Sequence, residues 1–169
     1  NNKNKNVNLL IIGGSQGAKL FDTVLKNSII RLSKKYTLKV YQQTTQNNLE
    51  SLMLFYHVNK IDNELFNFNE DISVFMEKAS LCLTRAGAST LAELVFLNVP
   101  HVVIPLPTAK DNHQFENAFF YNQHGCNWIL NQNEINDNNL INKLFNIIDN
   151  KEEYLNKKRN MKKFSYQNT

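Results

Sequence analysis

Cysteine is scarce, with two in 169 residues, Cys82 and Cys126. That is too few for a disulfide framework, and no metal-ligand spacing surrounds either one. Each lies in an apolar stretch, Leu81-Cys82-Leu83 and Cys126 just ahead of Trp128-Ile129-Leu130, which predicts buried thiols in strands rather than a nucleophile or a ligand. Long apolar runs are missing as well. No stretch approaches the ~18 residues of a membrane span, and Asn1 to Asn8 is polar, without the apolar centre of a secretion signal; a cytoplasmic protein is expected. Proline and glycine number only 3 and 5, no Pro- or Gly-rich linker interrupts the chain, and 1–169 reads as a single domain. No basic strand interleaved with aromatics and no recognition helix is present, which argues against nucleic acid as a partner.

The chain has 42% hydrophobic residues and a formal net charge of +4, enough apolar content for a packed core. The positive charge gathers late, at Lys157, Lys158, Arg159, Lys162 and Lys163. Such a cluster reads first as the solvated face of a terminal helix; attraction to anionic lipid is the sharper alternative. Asparagine is abundant in every kind of segment, a bias of composition.

Short β-branched runs alternate with longer amphipathic stretches, the pattern of βαβ units and a parallel sheet. Strands are expected at 7–12, 37–41, 64–68 (the weakest), 81–84, 101–104 and 126–130. Between and after them helices are expected, the first with Leu20, Val24, Leu25, Ile29 and Leu32 on one face. Others fall around 49–56, from Asp71 (a cap) through Lys78, to about Leu97, over 113–124, and at 137–148 and 152–164. The fold class is α/β: a Rossmann-like, doubly wound parallel sheet of about six strands.

Three loops leave the C-terminal ends of strands, the edge where open parallel sheets bind ligands. Gly13-Gly14-Ser15-Gln16-Gly17-Ala18 follows the first strand; its glycines permit a sharp turn and close backbone approach, ahead of a helix N-terminus suited to phosphate. It lacks the Gly-Lys-Ser/Thr ending of a P-loop and the full Gly-x-Gly-x-x-Gly fingerprint, and no acidic residue ends the second strand. Glycine here serves a turn as readily as a ligand. Thr84-Arg85-Ala86-Gly87-Ala88-Ser89-Thr90-Leu91-Ala92-Glu93 repeats the device after the fourth strand. Glu93, three residues past Thr90, is placed either to accept hydrogen bonds from vicinal hydroxyls or to close a capping box. The third loop, Pro105 to Asn117, is stiffened by proline and rich in amide and imidazole groups. Its Asp111-Asn112-His113-Gln114 suits sugar hydroxyls, although His113 alone reads as a helix-start residue facing water. His57, His101 and His124 have no such context and read as structural.

Together, Gly-Gly-Ser-Gln-Gly-Ala, Thr-Arg-Ala-Gly-Ala-Ser-Thr-x-Ala-Glu and Asp-Asn-His-Gln-x-x-Asn-Ala resemble, in order and spacing and over nearly the whole chain, the C-terminal half of the MurG family. These are bacterial UDP-N-acetylglucosamine transferases of peptidoglycan synthesis. The resemblance implies one half of a GT-B fold that binds UDP-N-acetylglucosamine, with no metal and no cofactor. Gly14, Ser15 and Gln16 would meet the pyrophosphate; Ala88, Ser89 and Thr90 would contact phosphate and sugar, mostly through backbone. Glu93 would bind the ribose hydroxyls, while His113 and Gln114 read the sugar with Asn117 behind them. Phe68 to Ile72 resembles the uracil-binding stretch, so Asn69 and Ile72 join the site, although the family often has an apolar residue where Asn69 stands.

The resemblance also implies what lies elsewhere. The family's N-terminal domain carries the acceptor site for lipid I and the catalytic base, so no catalytic residue is expected in this chain. A fragment, or a half protein working with a partner chain, is expected, peripheral on the inner face of the plasma membrane when whole. The donor domain of another GT-B transferase, or a free-standing nucleotide-sugar-binding subunit, is the alternative.

Overall fold

A computed structural model describes residues 5–13, 19–107 and 112–168, without the side chains of 19–21 and 112. Strands and helices alternate as β1 (Asn6–Ile12), α1 (Lys19–Lys35), β2 (Thr37–Gln43), α2 (Gln46–Val58), β3 (Asp62–Phe66), α3 (Ile72–Lys78) and β4 (Leu81–Thr84). Then follow α4 (Ala88–Phe96), β5 (His101–Val103), α5 (Asn112–Asn122), β6 (Trp128–Ile129), a 3₁₀ turn (Gln132–Glu134), α6 (Asp137–Asp149) and α7 (Lys151–Gln167). The six strands form one sheet in the order β3-β2-β1-β4-β5-β6, every pairing parallel. The expected doubly wound α/β sheet is what forms.

β1 is the centre of this order, and its alternation divides the core. Val7, Leu9 and Ile11 face α1, α2 and α6, packing with Val24, Leu25, Ile29, Leu32, Tyr56 and Leu140. Leu10 and Ile12 face the other way, toward Phe75 and Met76 of α3 and Leu91 and Leu94 of α4. Each such fully buried aliphatic side chain contributes about 1.5–3 kcal/mol relative to exposure. Because β2 and β4 flank β1 on opposite sides, the chain reverses its winding between β1 and β4, and a crevice opens above their C-terminal ends.

Three expectations need adjustment. β3 lies two residues earlier than 64–68, in register Lys39↔Asp62 through Gln43↔Phe66. It ends where Asn67 to Glu70 turn on themselves: the Asn67 amide donates to Glu70 Oε2 (2.9 Å) and the Asn69 amide to Asn67 Oδ1 (2.9 Å). β6 is two residues long rather than five, because β5 offers only Val102 and Val103 as partners. Cys126 is consequently buried outside any strand. Its amide donates to the Tyr121 carbonyl (3.1 Å), and its side chain packs with Val95 of α4 and Met161 of α7 in a third, smaller core. Cys82 lies in β4, as expected, and is fully buried. Among the described residues no helix is long and apolar enough to cross a membrane.

Candidate functional site

α4 starts without a side-chain cap. Gly87 occupies the N-cap position at φ −63° and ψ 135° and, lacking a side chain, offers the helix no cap. The first helical bond is Leu91 N to Gly87 O (3.0 Å), so the amides of Ala88, Ser89 and Thr90 precede any intrahelical acceptor and point off the helix end. Those amides and the positive end of the helix dipole favour an anion. Ala88 and Ser89 are exposed, and Thr90 and Glu93 half-buried. Among the described residues, a Cβ at Gly87 would meet only Thr90 Oγ1, at 3.9 Å.

α5 is tied to this loop. Gln114 Oε1 accepts from the Leu106 amide (2.9 Å) and more weakly from the Ala86 amide (3.4 Å). Asn117 Nδ2 donates to the Ala86 carbonyl (3.1 Å). Two side chains one turn apart on α5 therefore hold the loops after β4 and β5 in fixed relation. His113, at the start of the same helix, is exposed and lies 3.8 Å from Glu116.

Beneath the loops sits Arg85, a residue to which the motif reading assigned no role. It is 9% exposed, and its Nη1 donates to the Ile104 carbonyl (3.1 Å) and to Gln132 Oε1 (2.5 Å). Burial lowers its pKa to about 10, so it stays charged at neutral pH and puts a fixed positive charge under the crevice. The β1 end is shaped around it. Gly13 has φ +87°, and a Cβ there would stand 3.0 Å from Arg85 Cγ; its amide donates to Gln43 Oε1 (3.2 Å). Glycine is required here twice over, by backbone angle and by the neighbour. Sequence reasoning passed over Arg85, Gln43 and Gln132. The available signal for Arg85 was a lone cation between the apolar strand Leu81–Thr84 and a run of small residues.

The structure thus brings Ala88, Ser89, Thr90, Glu93, Gln114 and Asn117 together at one edge of the sheet, with His113 at its rim. Asn69 lies in the exposed turn after β3, and Ile72, half-buried, begins α3 against the second core. Both are at the same edge of the sheet but at its far strand, and among the described residues no hydrogen bond joins them to the α4–α5 group. Gly14, Ser15 and Gln16 lie outside the described residues. Among the described residues no group of three or more His, Cys, Asp or Glu is placed to hold a metal.

A family model, the glycosyltransferase family 28 C-terminal domain, matches residues 8–168. The chain is 65% identical, over 163 residues, to a UDP-N-acetylglucosamine--N-acetylmuramyl-(pentapeptide) pyrophosphoryl-undecaprenol N-acetylglucosamine transferase of Pelagibacter ubique, covering 96% of this chain and 46% of that protein. Among solved structures it is similar to MurG of Acinetobacter baumannii, with a TM-score of 0.77 and 29% identity over 96% of this chain and 46% of that one. A UDP-GlcNAc 2-epimerase of Neisseria meningitidis, bound to UDP-GlcNAc, aligns with a TM-score of 0.62 at 16% identity over 94% of this chain and 39% of that one, a likeness of fold alone. The chain spans less than half the length of these relatives.

Proposed function

The chain belongs to the glycosyltransferase family 28 C-terminal domain family, and from that membership we propose that it is the donor-binding half of a UDP-N-acetylglucosamine transferase. In this reading the whole enzyme is a hexosyltransferase that adds N-acetylglucosamine to lipid I to make lipid II. The reading rests on the 65% identity to a protein named for that reaction. One observation in the structure carries the donor role: the uncapped N-terminus of α4 faces the crevice beside Glu93 and is locked to α5 by Gln114 and Asn117.

The chemistry assigned to each group follows from its type. The α4 amides, with the charge of Arg85 below them, stabilise a diphosphate without a metal. Glu93, an ionised acceptor one turn along the same helix, takes the two ribose hydroxyls. Gln114 has its carbonyl oxygen committed to backbone amides, so contact with the sugar falls to its Nε2, with His113 beside it. Gly14, Ser15 and Gln16 supply further amides and a hydroxyl from the β1 side, while Asn69 and Ile72 supply backbone contacts to uracil. The acceptor, lipid I, and the general base belong to the remainder of the enzyme, an N-terminal domain that works on the inner face of the plasma membrane.

The test is calorimetric titration of the chain with UDP-N-acetylglucosamine, UDP and ADP. Binding of both uridine ligands and not of ADP is expected. Equal affinity for ADP and UDP removes uracil recognition from Asn69 and Ile72; no binding of any of the three removes the donor role.

A further inference from the structure

Burial strips the Arg85 guanidinium of most of its water: the residue is 9% exposed, so its donors need acceptors within the protein. Two acceptors meet Nη1, the Ile104 carbonyl just past β5 (3.1 Å) and Gln132 Oε1 (2.5 Å). Both are uncharged. A carboxylate is the common partner of a buried cation, and it cancels the charge it binds. An amide oxygen satisfies the same donor and leaves the charge standing.

Local structure delivers Gln132 to that place. Leu130, just past β6, donates its amide to the Val103 carbonyl (2.9 Å), so the chain leaves the sheet beside β5. It then folds at once into the 3₁₀ turn. There Asn131 Oδ1 accepts from the Asn133 amide (3.0 Å), and the Ile135 amide donates to the Gln132 carbonyl (3.2 Å). Gln132 is half-buried in this turn, while the carboxylate two residues on, Glu134, is exposed. Arg85 is fixed at its other end as well. Its amide donates to the Ile12 carbonyl (3.4 Å), and its Cγ takes the space that a side chain at Gly13 would need. Arg85 therefore spans from the end of β1 to the turn after β6, two residues ahead of the α4 N-cap Gly87.

We infer that Gln132 is a positioning residue for the donor diphosphate: it fixes the Arg85 guanidinium at the ligand edge of the sheet and, being neutral, leaves the positive charge available to the anion. The inference rests on the donor-binding reading and adds to it a residue from a fourth loop, acting through Arg85 rather than by contact with the ligand. Two substitutions separate charge from position, which a merely structural glutamine would not do. Gln132→Glu keeps an acceptor for Nη1, and a charge-assisted bond is the stronger one, so the link holds while the charge is cancelled. Gln132→Met fills a similar volume without a comparable acceptor, so the charge stays and its position is lost.

The test is calorimetric titration of the chain and both variants with UDP and with UMP, which carries one phosphate fewer, alongside thermal unfolding. Gln132→Glu should keep a thermal midpoint at or above that of wild type yet bind UDP about tenfold more weakly, the effect of one unit charge in partly buried surroundings. UMP should lose less, so the ratio of UDP to UMP affinity falls. Gln132→Met should lower both the midpoint and the affinity for UDP. Undiminished UDP affinity in either variant, or equal losses of UDP and UMP in Gln132→Glu, overturns the inference and leaves the donor reading in place. Wild-type chain that binds neither nucleotide removes the donor reading, and the inference falls with it.

Discussion

Glu93 and Gln114 stand a few residues from two helix starts, and their geometry separates their expected roles. In the proposed donor site Glu93→Ala removes the carboxylate acceptor for two hydroxyls, and UDP and UDP-N-acetylglucosamine should each bind more weakly by roughly 1.5–3 kcal/mol. With 2′,3′-dideoxy-UDP, which has no such hydroxyls, wild type and variant should titrate alike; a loss of the same size there makes Glu93 a structural cap. For Gln114→Ala two effects are expected. The buried Ala86 amide and the Leu106 amide lose their acceptor, which should lower stability by about 1–3 kcal/mol in thermal unfolding. The preference for UDP-N-acetylglucosamine over UDP should fall as well, as Nε2 is lost. A drop in stability with both ligands weakened equally would leave Gln114 as a loop clamp only.

At the scale of elements, the helix ends show what the asparagine-rich composition does. Asn131, Asn136 and Asn150 are N-caps whose side chains accept backbone amides. Asn136 forms a full capping box: its Oδ1 accepts from the Asn138 and Asn139 amides (3.0 Å each), and Asn139 Oδ1 accepts from the Asn136 amide (2.7 Å). This bias, read from sequence as composition alone, starts helices. α6 in turn buries Leu140, Ile141, Leu144 and Ile147 against α1 and β1, so its start matters to the main core. Asn136→Ala should destabilise the protein by about 1 kcal/mol in urea unfolding, with an unchanged dependence on urea. A neutral result would mean that the Asn139 side chain and packing hold the helix start alone.

For the whole molecule, His101 links folding to pH. It is fully buried on β5, with Nδ1 2.8 Å from the Val99 carbonyl, and Nε2 has no partner among the described residues. Burial lowers its pKa from 6.5 to about 4, against the opposing pull of the Val99 bond. Above pH 6.5 the ring is neutral in both folded and unfolded chains, and its contribution to stability is fully present. Between pH 6.5 and 4 the unfolded chain takes up a proton that the folded one refuses, so stability falls with pH by roughly 3 kcal/mol in all before levelling. His101→Asn keeps a donor for Val99 and cannot titrate; the slope of unfolding free energy across that window should flatten, and a slope equal to wild type's would assign it to other groups. Asp149 acts lower down. Burial pushes its carboxyl up, but hydrogen bonds from Lys35 and Tyr36 outweigh this and hold it below the ordinary value. Its contribution is present above that value and lost as pH falls through the lowered one.

Also on the scale of the whole molecule, a donor platform by itself should not turn over. Transfer needs donor, acceptor and base held at near-attack distance, a positioning worth about 7–11 kcal/mol. In a radiolabelled-donor assay with lipid-linked muramyl-pentapeptide, the 169-residue chain alone should transfer nothing, and some activity should return with the N-terminal half of a relative. Robust turnover by the chain alone would place the acceptor site and base within it.

The sequence by itself determined the alternation of strands and helices and the parallel sheet. These are local: hydrophobic period, capping residues and small residues after a strand act within a few positions of one another. Tertiary structure decided what depends on distant partners. β3 took its register from β2, and β6 kept only the two residues that a three-residue β5 could pair. Cys126 was drawn from the expected strand into a core made with a helix 35 residues away, at Met161. Arg85 became the support under the crevice because Gly13, Ile104 and Gln132 arrive around it from three other segments. Gln114 gave its carbonyl oxygen to two loops because the fold brought Ala86 and Leu106 within reach. A motif states which groups are available, and only the packed chain fixes which of them are already engaged.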